Sequence, residues 1–116
     1  MADPTRARGT TTRRRRQAAE TPELRGLRQR IDAIDRRLVA LMNERAELAI
    51  AAGRAKVSAG RHGIRDARRE AEVLARVAQA NDGPLTEADL RSVWRRVMSA
   101  TRALEARDRG RERTDV

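Results

Sequence analysis

The sequence predicts an all-α fold, with three helices per chain (one long, one short, one intermediate) forming an intertwined homodimeric helical bundle. Three observations predict it. Leu24, Leu27, Ile31, Ile34, Leu38, Leu41 and Leu48 recur at alternating steps of three and four, with one gap at position 45, which is the near-heptad spacing of a helical seam. Trp94 is the single aromatic residue, while Ala, Leu, Arg and Glu, all good helix formers, dominate. No proline interrupts Glu23 to Lys56. A helix of that span would be about 50 Å long, more than the rest of the domain can cover, so a helix from a second chain is expected against it.

The elements follow in order. The first helix opens near Glu23 and runs to about Lys56. Ser58-Ala59-Gly60-Arg61-His62-Gly63 reads as a loop, marked by its two glycines. Asp66 is an N-cap for a second helix that reaches about Ala80, with Ala71, Leu74, Val77 and Ala78 facing inward. Asn81-Asp82-Gly83-Pro84 stops it. Thr86 and Asp89 resemble a capping box, though Asp reaches less far than Glu. A third helix then runs to about Ala106 on the seam Leu90, Val93, Val97 and Leu104. Residues 1–22, with Arg13-Arg14-Arg15-Arg16, read as a disordered arginine-rich tail or a misassigned start, and residues 106–116 as a polar tail. That leaves 23–105 as the domain.

Composition excludes several classes. There is no cysteine, hence neither a disulfide nor a thiolate metal site. No apolar run is long enough to span a bilayer, and the N-terminus lacks the apolar core of a secretory signal. A cytoplasmic protein without a membrane partner is the expectation. The net charge of +10 suggests nucleic acid, but half of that excess lies in the two tails.

Inside the domain, the informative cations occupy positions that the apolar pattern reserves for the core, whereas a nucleic-acid binder would expose them. Arg45 sits on the seam, four residues after Leu41 and three before Leu48. Lys56, eleven residues on, returns to within about 20° of Arg45, with the small Ala49 and Ala52 between. Two aligned cations beside small residues suggest an anion pocket, because an unpartnered buried guanidinium is expensive. Arg28 lies about 100° around the helix and some 25 Å away, so it would serve the pocket of a partner packed antiparallel. Thr101 interrupts the third seam, with Glu105 one turn further on, and Asp66, Arg69 and Glu70 open the second helix together. Each has a plain structural reading: a snorkelling arginine, a small filler, a cap, a solvated carboxylate. Their convergence favours a site. His62, between glycines, reads as a solvent-exposed loop residue.

These residues carry a resemblance. Leu27-Arg28-Gln29-Arg30-Ile31-Asp32-Ala33-Ile34-Asp35, then Arg45 with Glu47-Leu48-Ala49, Gly53 and Lys56, then Ile64-Arg65-Asp66-Ala67-Arg68-Arg69-Glu70, then Asn81-Asp82-Gly83-Pro84-Leu85, and finally Val97-Met98-Ser99-Ala100-Thr101-Arg102-Ala103-Leu104-Glu105 resemble, in order and spacing, the all-helical chorismate mutases of the AroQ class. The resemblance implies an intramolecular Claisen rearrangement of chorismate to prephenate, a step of the shikimate pathway toward Phe and Tyr. It needs no cofactor, only capture of a dicarboxylate in its reactive conformer and stabilisation of charge on the ether oxygen. It also implies the roles. Arg45 and Arg69, with Arg28 of the second chain, would hold carboxylates, and Lys56 would reach the ether oxygen and a carboxylate. Asp66 and Glu70 would sit near the ring hydroxyl, and Thr101 would assist with a carboxylate.

Glu105 would donate a hydrogen bond to the ether oxygen. An ionised carboxylate cannot donate, so the resemblance requires Glu105 to carry a proton. Ala67 departs from the family pattern, which often has proline there, and should loosen the start of the second helix. The chain is expected to be monofunctional; any feedback control would have to come from a partner protein, such as another shikimate-pathway enzyme in a complex. An isochorismate-pyruvate lyase or aminodeoxychorismate mutase of the same fold is the nearest alternative. A basic nucleic-acid-binding protein and a structural coiled coil are more distant ones.

Overall fold

The computed structural model describes residues 20–114 and contains three helices and no strand among them: α1 (Pro22–Ser58), α2 (Ala67–Ala80) and α3 (Glu87–Thr114). The reading of residues 1–19 as an arginine-rich tail lies outside the described residues. Residues 20–22, assigned to that tail, instead build the start of α1. The Thr21 hydroxyl accepts from the Leu24 amide at 3.1 Å, Pro22 takes the first helical position, and Glu23 lies in the positive first turn.

The described residues fall into two units, divided between Met42 and Asn43. In the described part of the first, the helix carries its apolar stripe unburied. Leu27, Ile31, Ile34, Leu38 and Leu41 are 47–57% exposed.

The second unit holds the rest of α1 with α2 and α3. Helix α1 ends at a glycine stop: Gly60 adopts φ 84°, its amide bonds the Val57 carbonyl at 2.9 Å, and the Arg61 amide reaches back to Lys56 at 2.8 Å. This arrangement satisfies carbonyls that the last turn would otherwise leave open, and only glycine adopts such a φ without strain. Asp66 then caps α2, accepting from the Arg69 amide at 3.0 Å. With that cap in place α2 begins at Ala67, so the missing proline does not delay the helix. Asn81 closes α2, its amide side chain bridging to the Leu85 carbonyl at 2.7 Å and its oxygen accepting from Gly83. The Thr86 hydroxyl caps α3 by accepting from the Asp89 amide at 3.1 Å.

Three expectations need correction. Helix α3 does not end near Ala106 but continues to Thr114, through the segment read as a polar tail. Arg54 of α1 fixes the extension, bonding Asp108 at 2.6 and 3.0 Å and meeting Glu112 at 3.3 Å. On the α3 seam Val93 is exposed, while Leu90, Val97 and Leu104 are half-buried as expected and Met98 and Glu105 are the buried positions. On α2, Ala71 is exposed and Val73 takes a half-buried place beside Leu74, Val77 and Ala78. Among the described residues, Met98, 7% exposed, is the one buried large apolar side chain, and none is fully buried. A core so thin matches a fold completed by another chain.

Candidate active site

A pocket of about 330 Å³ opens among α1, α2 and α3 within the second unit. The three helices contribute to it by register. On α1, Arg45, Ala49, Ala52 and Lys56 fall on one face, and the two alanines leave the space. The Asp66 cap puts Asp66, Arg69 and Glu70 at its mouth in one turn of α2, and α3 adds Met98, Thr101, Arg102 and Glu105. Arg45, Lys56, Asp66, Arg69, Glu70, Thr101 and Glu105 are thus gathered from three separated stretches around one cavity. Arg28 is not among the lining residues; in the first unit it pairs with Glu20.

The charges divide into engaged and available groups. Asp66 is engaged twice, by the Arg69 amide and by the Arg61 guanidinium at 3.2 Å. The amide hydrogen bond first, then the nearby Arg61 and Lys56 charges, hold its carboxyl below the usual range against an opposing effect of burial. Glu70 is paired with Arg102 and lies 3.9 Å from Arg65. Arg69 touches Glu72 at 3.4 Å. Arg45 and Lys56, by contrast, form no ion pair with any described residue. The one hydrogen bond Arg45 makes there is to the Thr101 hydroxyl at 3.4 Å. That hydroxyl donates to the Val97 carbonyl at 2.9 Å, so it offers Arg45 a lone pair and acts as its rest.

Glu105 is the buried acid of the site, 9% exposed. It packs on Gly53, where an added Cβ would lie 3.5 Å from Oε2, and Oε2 is sealed from solvent without a hydrogen-bond partner. Glu105 thus sets its sealed Oε2 against Gly53 while its side chain lines the same pocket as Arg45 and Lys56.

Two residues escaped the sequence reading. Arg102 follows Thr101 and looks like any surface arginine in an arginine-rich helix; only its pairing with Glu70 reveals it. Gly53 gives a weak signal, as a glycine inside a helix otherwise free of breakers. No group of His, Cys, Asp and Glu among the described residues is arranged to hold a metal ion, and no described helix is long and apolar enough to cross a membrane.

Residues 27–106 match the family model described as chorismate mutase type II. The chain is 36% identical over 91 residues to a bifunctional chorismate mutase/prephenate dehydratase of Pseudomonas aeruginosa, and 38% identical over 78 residues to one of Neisseria gonorrhoeae. These alignments cover 75% and 67% of this chain but 25% and 21% of the relatives, so the chain spans about a quarter of their length. Its fold resembles a solved chorismate mutase (form II) of Thermus thermophilus, with a TM-score of 0.68 and 30% identity over 73% of this chain and 96% of that one.

Proposed function

The chain belongs to the chorismate mutase type II family, and from that premise we propose that it converts chorismate to prephenate at the pocket built on Arg45, Lys56 and Glu105. The observation that carries the reading is the pair of unpaired cations, Arg45 and Lys56, facing the same cavity as the buried Glu105. The substrate brings two carboxylates and develops a third centre of negative charge on its ether oxygen as the C–O bond breaks and the new C–C bond forms.

Arg45 and Arg69 take the carboxylates, the planar guanidinium fork fitting both oxygens. The Thr101 hydroxyl contributes by holding Arg45 in line. Lys56 stabilises the ether oxygen, an effect strengthened as substrate displaces water from the cavity. Glu105 donates to the same oxygen and therefore works as the protonated acid. Asp66 and Glu70 lie toward the ring hydroxyl. Glu70, oriented by Arg102, is the freer of the two to accept from it, because both Asp66 oxygens are already bonded.

The site is completed by a second copy of the chain. The half-exposed stripe from Leu27 to Leu41 is too continuous an apolar face to leave in water. A second copy covering it brings its own Arg28 to the pocket as a further carboxylate ligand. The reaction is read as cytoplasmic, with another shikimate-pathway enzyme as a further partner to be tested.

The test is loss of chorismate followed by ultraviolet absorbance, with isochorismate and aminodeoxychorismate as parallel substrates. Conversion of chorismate to prephenate is expected; turnover of one of the other two alone would overturn the assignment. Glu105→Gln, whose amide nitrogen is a donor, should retain most of the activity, while Glu105→Ala should lose roughly tenfold or more in turnover. A Glu105→Gln variant as inactive as Glu105→Ala would remove the donated hydrogen bond from the mechanism.

A further inference from the structure

We propose that Arg109 is the positioning residue for Glu105, acting through one buried water that turns the acid's proton toward the substrate pocket. The proposal rests on the reading of Glu105 as a proton-bearing donor.

Behind Glu105, on the side away from the pocket, lies a second cavity of about 10 Å³, walled by Gly53 and Val57 of α1 and by Asp108 and Arg109 of α3. Among the described residues, two buried side-chain atoms make no hydrogen bond: Oε2 of Glu105 and Nη2 of Arg109. Both residues line this cavity, one helical turn apart on α3. Orphaned buried polar atoms are rare because each loses its hydration without compensation. A space of this size between a donor and an acceptor is what a single bound water requires.

The orientation of that water follows from what its neighbours can do. A guanidinium only donates, so the water accepts from Nη2 and its own hydrogens point onward. Gly53 lines this cavity and not the large pocket, and Oε2 is the Glu105 atom nearest to it. Oε2 is therefore the oxygen facing the water, and it must accept. A carboxyl with one proton then carries it on Oε1, the oxygen left to the substrate pocket. Without such a constraint the proton sits on either oxygen, and half the arrangement points a lone pair at the ether oxygen.

Arg109 is held for this task. Its Nη1 donates to the His62 carbonyl, which ties the α1–α2 loop to the back of the site. Asp108 and Glu112, which share the cavity wall, are both engaged by Arg54. From the pocket side Glu105 faces the cations Arg45, Lys56, Arg69 and Arg102, and the acids Asp66 and Glu70, which are paired with Arg61 and Arg102. Arg54, Asp108, Arg109 and Glu112 complete the charged groups around it, from behind.

The experiment measures kcat and KM of the full chain, alone and as Arg109→Met and Arg109→Lys, in the parent and in the Glu105→Gln background. In the parent, Arg109→Met should lower kcat on the order of tenfold with KM nearly unchanged. Arg109→Lys, which keeps the charge and a donor, should recover part of kcat. In Glu105→Gln, whose amide nitrogen carries its own hydrogens, Arg109→Met should cost little. Equal kcat losses in both backgrounds, a merely structural effect, would overturn the role of Arg109 alone. A Glu105→Gln variant as inactive as Glu105→Ala would overturn the reading of Glu105 as a donor, and this proposal with it.

Discussion

The two halves of α1 are built from the same residue types and do opposite things with them. Before Met42 the apolar stripe is unbroken, from Leu27 through Ile31, Ile34 and Leu38 to Leu41, and stands about half exposed. After Asn43 the stripe is interrupted by Arg45, thinned to Ala49 and Ala52, and ended by Lys56, and these residues wall a pocket with α2 and α3. The first half is regular and has a surface to give. The second is irregular where the regularity would have filled the cavity. In the proposed function, apolar continuity is the surface offered to a second chain, and its interruption is the place for the ligand.

Breaking the interrupted half should have the largest effect. Lys56→Ala removes a charge aimed at the breaking bond and should lower kcat by about 10²–10³-fold, as loss of one transition-state donor typically does. Unchanged helicity by circular dichroism would confine the loss to chemistry. Breaking the continuous half comes next. Leu38→Asp places a charge in the stripe and should shift the mass measured by light scattering from two chains to one. Activity should fall with it, by about tenfold at low concentration, and recover in part as protein is added. A variant that stays fully active as a single chain would contradict the shared-site reading.

Smaller effects separate caps from ligands. Asp66→Ala removes the α2 cap and should lower Tm and activity together, because Arg69 and Glu70 stand on that first turn. The Arg54–Asp108 pair should act on stability alone. The neighbouring guanidinium holds the Asp108 carboxyl below its ordinary range, first by hydrogen bonding and then by charge. Its stabilisation is therefore present above the ordinary carboxylate range and lost as pH falls below that range. Arg54→Ala should thus lower Tm at neutral pH, with the difference from the parent vanishing in acid.

Much of this was legible in the sequence because it is written locally. The stripe of α1, the Asp66 and Thr86 caps, and the glycine-marked loop from Ser58 to Gly63 each depend on residues within one or two turns. Arg45, Thr101 and Glu105 could be found because they violate a pattern at a fixed period. What was missed depends on partners far along the chain. Residues 107–114 have no apolar period, and their helix is secured by Arg54, which no linear pattern connects to Asp108. Arg102 and Arg109 violate nothing in an arginine-rich segment. They become distinctive only when the fold sets one against Glu70 and the other behind Glu105. Val93 fits the α3 seam yet is exposed, whereas Leu90, Val97 and Leu104 on the same seam are half-buried.

The central claim is that one pocket is finished by two chains, and mixing two inactive variants tests it most directly. Arg28→Ala and Arg45→Ala should each be nearly inert on chorismate. Unfolded and refolded together, they should recover about a quarter of the parent rate, since half of the dimers are mixed and each of those holds one intact site in two. A mixture no more active than its components, with mixed dimers verified by native mass spectrometry, would contradict the account.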